Sequence, residues 1–259
     1  MSIRHGILAL LAFFFLASPS FAEDGLITID AGRKDATIPL FVLSQPQAAK
    51  TLILLPGGGG DTGKIISGQP GSTNFLSRSR ELFQAQGFNV IVMYRASDLD
   101  DLDTDYRVTK PHINEIERVV QFAKKTFKKP IWLIGTSRGT VSATAAAIAL
   151  GASNVNGLVL TSSVTDFKKN GIGSQALEQL KIPVLIVHHH NDQCRICVPS
   201  EAFKAIDLLK ASPVKKFVEI EGGSNPTGDP CGATHWHGYI NYEAETVNTI
   251  TDWIKHPSK

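Results

Sequence analysis

A chain of 259 residues, 42% hydrophobic and 19% charged, is long enough to bury a substantial core as one large domain or two small ones. Its formal net charge of +2 gives no electrostatic basis for a nucleic-acid partner or for attraction to an acidic membrane surface. Arg4 and His5 precede an apolar run from Ile7 to Leu16, and Ser20–Phe21–Ala22 closes it with small residues at the outer positions. Residues 1–22 therefore read as a secretory signal cleaved after Ala22, and residues 23–259 as a single exported domain, periplasmic or secreted. The apolar run falls short of the ~20 residues that span a bilayer, so no stable membrane insertion is expected. Three cysteines, Cys194, Cys197 and Cys231, lie in the last third of the chain. Outside the cytosol they are expected to form one disulfide and leave one thiol free.

Residues 26–30 and 38–43 run apolar around Gly32–Arg33–Lys34–Asp35 and read as an opening hairpin. Thr51–Leu55 reads as a buried strand that enters Pro56 and four consecutive glycines. A helix over 73–86 and a strand over 89–94 follow. The acidic stretch from Ser97 to Asp105 reads as solvated loop, with a cation-attracting rim or calcium site as the other reading. Ile113, Ile116, Val119, Val120, Ala123 and Phe127 recur at helical spacing and mark the core face of an amphipathic helix. The remaining elements are a strand at 157–162, a helix near 174–180, a strand at 182–189, a helix at 200–210, a strand at 215–221 and a helix from about 238 to 255. Strands alternating with helices at this spacing imply a mostly parallel sheet covered on both faces.

Between the helix ending near 127 and the strand at 157 lies the most informative stretch. Ile131–Trp132–Leu133–Ile134 leads into Gly135–Thr136–Ser137–Arg138–Gly139, and the Ala-rich segment Val141–Leu150 follows. Strand, sharp turn and helix in that order hold the central serine in a strained conformation with its hydroxyl exposed at the end of a sheet. Side chains at Gly135 and Gly139 would collide with the neighbouring strand and helix. The helix also aims its positive end at charge developing beside Ser137.

This arrangement resembles the α/β-hydrolase superfamily over almost the whole mature chain. There the nucleophile follows the fifth strand, and acid and histidine follow later strands in the order Ser, Asp, His. The resemblance implies an α/β-hydrolase fold, α/β in class, with a mostly parallel central sheet, helices on both faces and no separate cap. The stretch between the strands at 157–162 and 182–189 is too short for a lid domain. The strand at 182–189 runs through His188–His189–His190 into Asn191–Asp192, which makes Asp192 the expected acid, with Asp166 as the other candidate. The expected base is His237, before Gly238–Tyr239 at the opening of the last helix, with His235 the alternative. His188, His189 and His190 are expected to shape the site or support the acid loop. The oxyanion hole is expected to use the backbone N–H of Arg138 and one from the glycine run, Gly58 first and Gly59 next. Cys194 follows the acid and Cys231 precedes the base, so a Cys194–Cys231 bridge is expected to fasten the two loops, with Cys197–Cys231 as the other pairing. The Arg138 side chain either selects a substrate carboxylate or pairs with a structural acid.

The implied activity is cleavage of a small-molecule ester, or of an amide or peptide bond, through an acyl-enzyme without cofactor or metal. Three readings compete. Gly58 to Lys64 fits Gly-x-x-x-x-Gly-Lys, but Ile65 stands where a nucleotide site needs Ser or Thr. The clustered histidines and cysteines suggest a metal, yet their spacing matches no zinc signature. A non-catalytic binding protein on the same fold is the third.

Overall fold

The computed structural model describes residues 24–258; the expected signal segment, residues 1–22, lies outside them. The hairpin β1 (Gly25–Asp30) and β2 (Thr37–Leu43) opens the described chain. β3 (Thr51–Leu55) is buried along its whole length. Beyond the glycine run, a two-stranded ribbon of β4 (Ile65–Ile66) and β5 (Gln69–Pro70) was not legible as strand, since its two isoleucines are half exposed to solvent. α1 (Phe75–Arg78), α2 (Arg80–Ala85), β6 (Asn89–Met93), α3 (Lys110–Phe127), β7 (Ile131–Thr136) and α4 (Arg138–Leu150) come next. β8 (Gly157–Thr161), β9 (Val184–His189), α5 (Pro199–Ala205), β10 (Lys215–Ile220) and α6 (Glu243–Lys255) complete the order.

Eight strands form one sheet in the order β1-β2-β6-β3-β7-β8-β9-β10. Both pairings of β2 are antiparallel, and every pairing from β6 to β10 is parallel. Along β3, Leu52 and Leu54 join one core while Ile53 and Leu55 join the other. Trp132 and Ile134 alternate with Ile131 and Leu133 in the same way along β7. The first core is closed by Phe83 of α2 and by Val247, Ile250 and Trp253 of α6. The second is closed by Ile116, Val119 and Ala123 of α3 and by the alanines of α4. A strand covered on both faces has no polar positions to spare, which is why these strands are continuous apolar runs.

Three elements differ from the sequence expectation. The helix at 73–86 breaks at Ser79, where the backbone leaves the helical region (φ −99°, ψ 7°). The helix near 174–180 is replaced by two 3₁₀ turns, Ile172–Ser174 and Leu177–Gln179. Gly171 packs so tightly on Thr165 that an added Cβ would come within 2.6 Å of its carbonyl carbon, and the chain turns there to bury Ile172, Leu177 and Leu180. The last helix begins at Glu243, not near 238. Trp236–Gly238 forms a 3₁₀ turn, and left-handed Tyr239 and Asn241 (φ 58° and 55°) interrupt the path to α6. Only 3₁₀ turns occupy the connection from β8 to β9, and no cap domain is present among the described residues.

Candidate active site

The carboxyl ends of β3, β7 and β9 meet at one rim of the sheet. At the end of β7, Ser137 is left-handed (φ 52°, ψ −128°) and half-buried, and α4 starts with the next residue. Such a conformation costs a non-glycine residue on the order of 1–3 kcal/mol and survives only where the surroundings enforce it. Here the glycines enforce it. A Cβ on Gly139 would collide with the Leu55 carbonyl of β3, and one on Gly135 with the Gly139 carbonyl. The Ser137 N–H donates to the Thr161 carbonyl, and the Thr140 hydroxyl donates back to the Ser137 carbonyl.

β9 delivers the acid. Asp192, 7% exposed, accepts the Cys194 N–H through Oδ1 and lies 2.9 Å from His237 Nδ1 through Oδ2. An ionised carboxylate accepts only, so Nδ1 carries the proton and Nε2 is left as a lone-pair acceptor. Nε2 is buried and without a hydrogen-bond partner among the described residues, and His237 lines the same cleft as Ser137. A buried polar atom without a partner calls for an explanation, and a catalytic role is one of those available to Nε2.

Four ties hold the loop that carries His237. A Cys194–Cys231 disulfide joins it to the acid loop, closing a separation of 37 residues, worth roughly 2–4 kcal/mol by loop-closure entropy. The Ser162 hydroxyl donates to the His237 carbonyl at 2.8 Å, and the Arg78 guanidinium donates to the Gly238 carbonyl at 2.6 Å. The fully buried Tyr239 hydroxyl donates to the Val187 carbonyl at 2.9 Å. Cys197 keeps a free, buried thiol beside the Ser137 hydroxyl, and desolvation pushes its pKa up, so it stays protonated.

The histidines at and just past the end of β9 have partners of their own. His189 donates from Nε2 to the Gly222 carbonyl, accepts the Asn191 N–H on Nδ1, and stacks on Trp236 at 4.8 Å. His188, fully buried, accepts the Ser163 N–H on Nε2, and burial pushes its pKa down to about 4. Exposed His190 pairs with Glu219 at 3.0 Å. A histidine held neutral in the fold takes its proton first in the unfolded chain, so its stabilising contribution is whole above pH 6.5 and drains away toward pH 4. From His188 alone, stability is expected to fall by roughly 3 kcal/mol across that window. Urea midpoints between pH 7 and 4 measure this, and His188→Gln is expected to flatten the profile.

Facing the elbow, Gly57–Gly60 forms a turn closed by the Gly60 N–H on the Gly57 carbonyl. A Cβ on Gly57 would come within 2.7 Å of the Ser137 Cβ, so only glycine lets this loop lie against the nucleophile turn. The residue that holds the loop from behind was missed in the sequence. Arg107, 1% exposed, donates to the carbonyls of Pro56 (3.3 Å), Gly58 (3.1 Å) and Leu102 (3.0 Å) and to the Ser142 hydroxyl (2.8 Å). Burial lowers its pKa to about 9, which leaves it charged at neutral pH. Behind Ser142 the chain of bonds continues to His112 Nε2 (2.8 Å) and from His112 Nδ1 to Glu115 (2.8 Å), which also pairs with Arg33. Ser142, His112 and Glu115 thus form a second serine–histidine–carboxylate chain, with glutamate in place of aspartate, yet all three are sealed from solvent and Arg107 occupies the serine oxygen.

No family model matches the chain, and no curated protein matches it in sequence. Solved structures do match its fold. Est1E from Butyrivibrio proteoclasticus is 15% identical with a TM-score of 0.61, over 90% of this chain and 98% of that one. A dienelactone hydrolase from Anabaena variabilis is 16% identical with a TM-score of 0.63, over 92% and 99%. The esterase Pf2001 of Pyrococcus furiosus is 14% identical with a TM-score of 0.64, over 90% and 92%. The fold is that of the α/β hydrolases.

Within this hydrolase fold the other candidate residues find different places. Asp166 caps the 3₁₀ turn Phe167–Lys169 by accepting the Lys168 N–H, and His237 is not among its partners. His235 packs edge-on to Trp236 and makes no bond to an acid among the described residues. The aspartates of the 97–105 loop are exposed, as expected of a solvated loop, and some of them also have partners: Asp98 pairs with Arg33, Asp103 accepts the Tyr106 N–H, and Asp105 accepts from Asn170. Arg138 faces Asp101 of that loop at 3.5 Å. After Lys64 the chain enters the β4–β5 ribbon, so no helix N-terminus stands where a nucleotide phosphate would need one. Cys194, Cys197 and a His237 ring nitrogen come within 4.8 Å of one another, but the Cys194 sulfur is committed to the disulfide and offers no thiolate to a metal.

Proposed function

We propose that this protein is a serine hydrolase that cleaves an ester bond through an acyl-enzyme, acting on a small-molecule substrate. One observation supports the reading: a buried carboxylate fixes Nδ1 of His237, leaving Nε2 unpaired, and His237 lines the same cleft as Ser137, whose backbone is strained. Asp192 selects the tautomer and stabilises the imidazolium as it forms. The Ser137 hydroxyl lies near the Cys197 thiol and makes no hydrogen bond to Nε2 among the described residues; a catalytic bond of this kind often closes only when substrate binds. His237 takes the hydroxyl proton as Ser137 attacks the carbonyl carbon, then gives it to the departing oxygen. A water activated by the same nitrogen releases the acid and restores the serine. The Gly58 and Arg138 N–H groups, with the positive end of α4, hold the oxyanion. No cofactor enters this scheme.

A fluorophosphonate probe reacts only with an activated serine. Peptide mapping of the labelled protein is expected to place the adduct on Ser137; an adduct elsewhere, or none, overturns the reading. We further propose export by residues 1–22, which lie outside the described structure. Protein recovered from the periplasm or the medium is expected to begin at Glu23.

A further inference from the structure

Ser137 stands between two clefts of unlike charge. The first, about 390 Å³, contains His237 and Gly57–Gly59; its one charged side chain is that of Asp61. The second, about 710 Å³, shares Ser137, Gly58, Gly59 and Cys231 with the first but not His237. Arg138, Lys169 and Arg195 line it, against a single carboxylate, Asp229. Arg138 is half committed to Asp101 across 3.5 Å. Lys169 and Arg195 are exposed and make no ion pair among the described residues. Asp229 spends one carboxylate oxygen on the Cys231 N–H.

Under the serine-hydrolase reading, His237 must reach the leaving oxygen to protonate it. The alcohol therefore lies in the His237 cleft, and the acyl chain runs the other way from the tetrahedral carbon. We infer that the second cleft is an acyl-side subsite for an anionic group, so that the preferred substrates are monoesters of dicarboxylic acids. Two guanidiniums and an ammonium suit a carboxylate by charge, and the guanidiniums suit it in shape as well. Arg195 lies one residue past Cys194, so the disulfide that fastens the acid loop also fixes the backbone beside this cation. The acid loop then has two duties, orienting His237 from one end and presenting charge to the substrate from the other.

Two esters with one leaving group and one acyl length test this: mono-4-nitrophenyl adipate and 4-nitrophenyl hexanoate. The adipate is expected to lead by about tenfold in kcat/KM at low salt, and the lead to shrink at about 0.5 M sodium chloride as the charges are screened. In the Lys169→Gln/Arg195→Gln double variant the ratio is expected to fall toward one, while turnover of hexanoate reports that the fold stands. Parity of the two esters in the wild-type protein, or a ratio the double variant leaves intact, overturns the subsite. A third ester, 4-carboxyphenyl hexanoate, carries its charge on the leaving group and is expected to gain no advantage over phenyl hexanoate; an equal gain overturns the acyl-side placement. Hexanoate turnover with a Ser137 adduct but no charge preference refutes this inference alone, whereas no turnover and no adduct refutes the catalytic reading with it.

Discussion

Ser137→Ala is expected to lower kcat for a 4-nitrophenyl ester by about 10⁶-fold, and Asp192→Asn by about 10⁴-fold, because the proposed mechanism makes Ser137, His237 and Asp192 one unit. The causes differ. Alanine removes the attacking oxygen, so what remains is catalysis by the oxyanion donors and by binding. Asparagine at 192 keeps the size of the side chain, but its amide donates to Nδ1 and forces the proton of His237 onto Nε2, the atom that has to accept from serine. Groups that work in sequence cannot be lost twice. The double variant Ser137→Ala/Asp192→Asn is therefore expected to be no slower than Ser137→Ala alone, and a further drop of about 10⁴ would show that Asp192 acts independently of the nucleophile. Neither change removes an apolar contact from the core. Thermal midpoints measured alongside the rates are expected to stay near that of the parent for Ser137→Ala, whose left-handed backbone the glycine contacts still impose.

How much of this was legible before the coordinates depended on whether the signal was local. The turn at Ser137 was legible because its signature lies within five residues flanked by a buried strand and a helix, even though Gly139 is required by the Leu55 carbonyl of distant β3. The sheet was legible because strands buried on both faces carry unbroken apolar runs, as β3 does from Leu52 to Leu55 and β7 from Ile131 to Ile134. Asp192 and His237 were legible as positions after strands, and the coordinates bring those two side chains together. The conformation of the His237 loop was not, since it is set by a tyrosine hydroxyl reaching Val187, 52 residues away. The run at 174–180 misled because a helix and a pair of 3₁₀ turns place apolar residues at nearly the same spacing over so short a span. Arg107 carried no signal at all. Beside an acidic run an arginine reads as a surface counter-charge, and the carbonyls it serves at Pro56 and Gly58 are 51 and 49 residues distant.

That arginine is where the second large effect is expected. Arg107→Met should destabilise the fold by about 3–5 kcal/mol, since it leaves the buried Pro56 and Leu102 carbonyls and the buried Ser142 hydroxyl without this donor and frees the part-buried Gly58 carbonyl as well. It should also slow the surviving folded enzyme. Arg107 grips the Pro56 and Gly58 carbonyls, which belong to the two peptides flanking the one that carries the Gly58 N–H, so the guanidinium sets the tilt of the glycine turn facing Ser137. A donor displaced by an ångström or so costs on the order of 10²-fold in rate, and the loss is expected in kcat with KM little changed. Arg107→Lys separates charge from shape. An ammonium keeps the charge, but it lacks the fork that reaches Leu102 on one side and Pro56 and Gly58 on the other. It is expected to recover part of the stability and little of the rate. Urea unfolding gives the first quantity, and kcat measured well below the thermal midpoint gives the second. If Arg107→Met loses stability while the folded fraction turns over at the parental rate, the glycine turn holds its shape unaided and Arg107 is only a brace for the core. If rate and stability fall together and lysine restores only the latter, the oxyanion loop is set from behind by a charge that never touches the substrate.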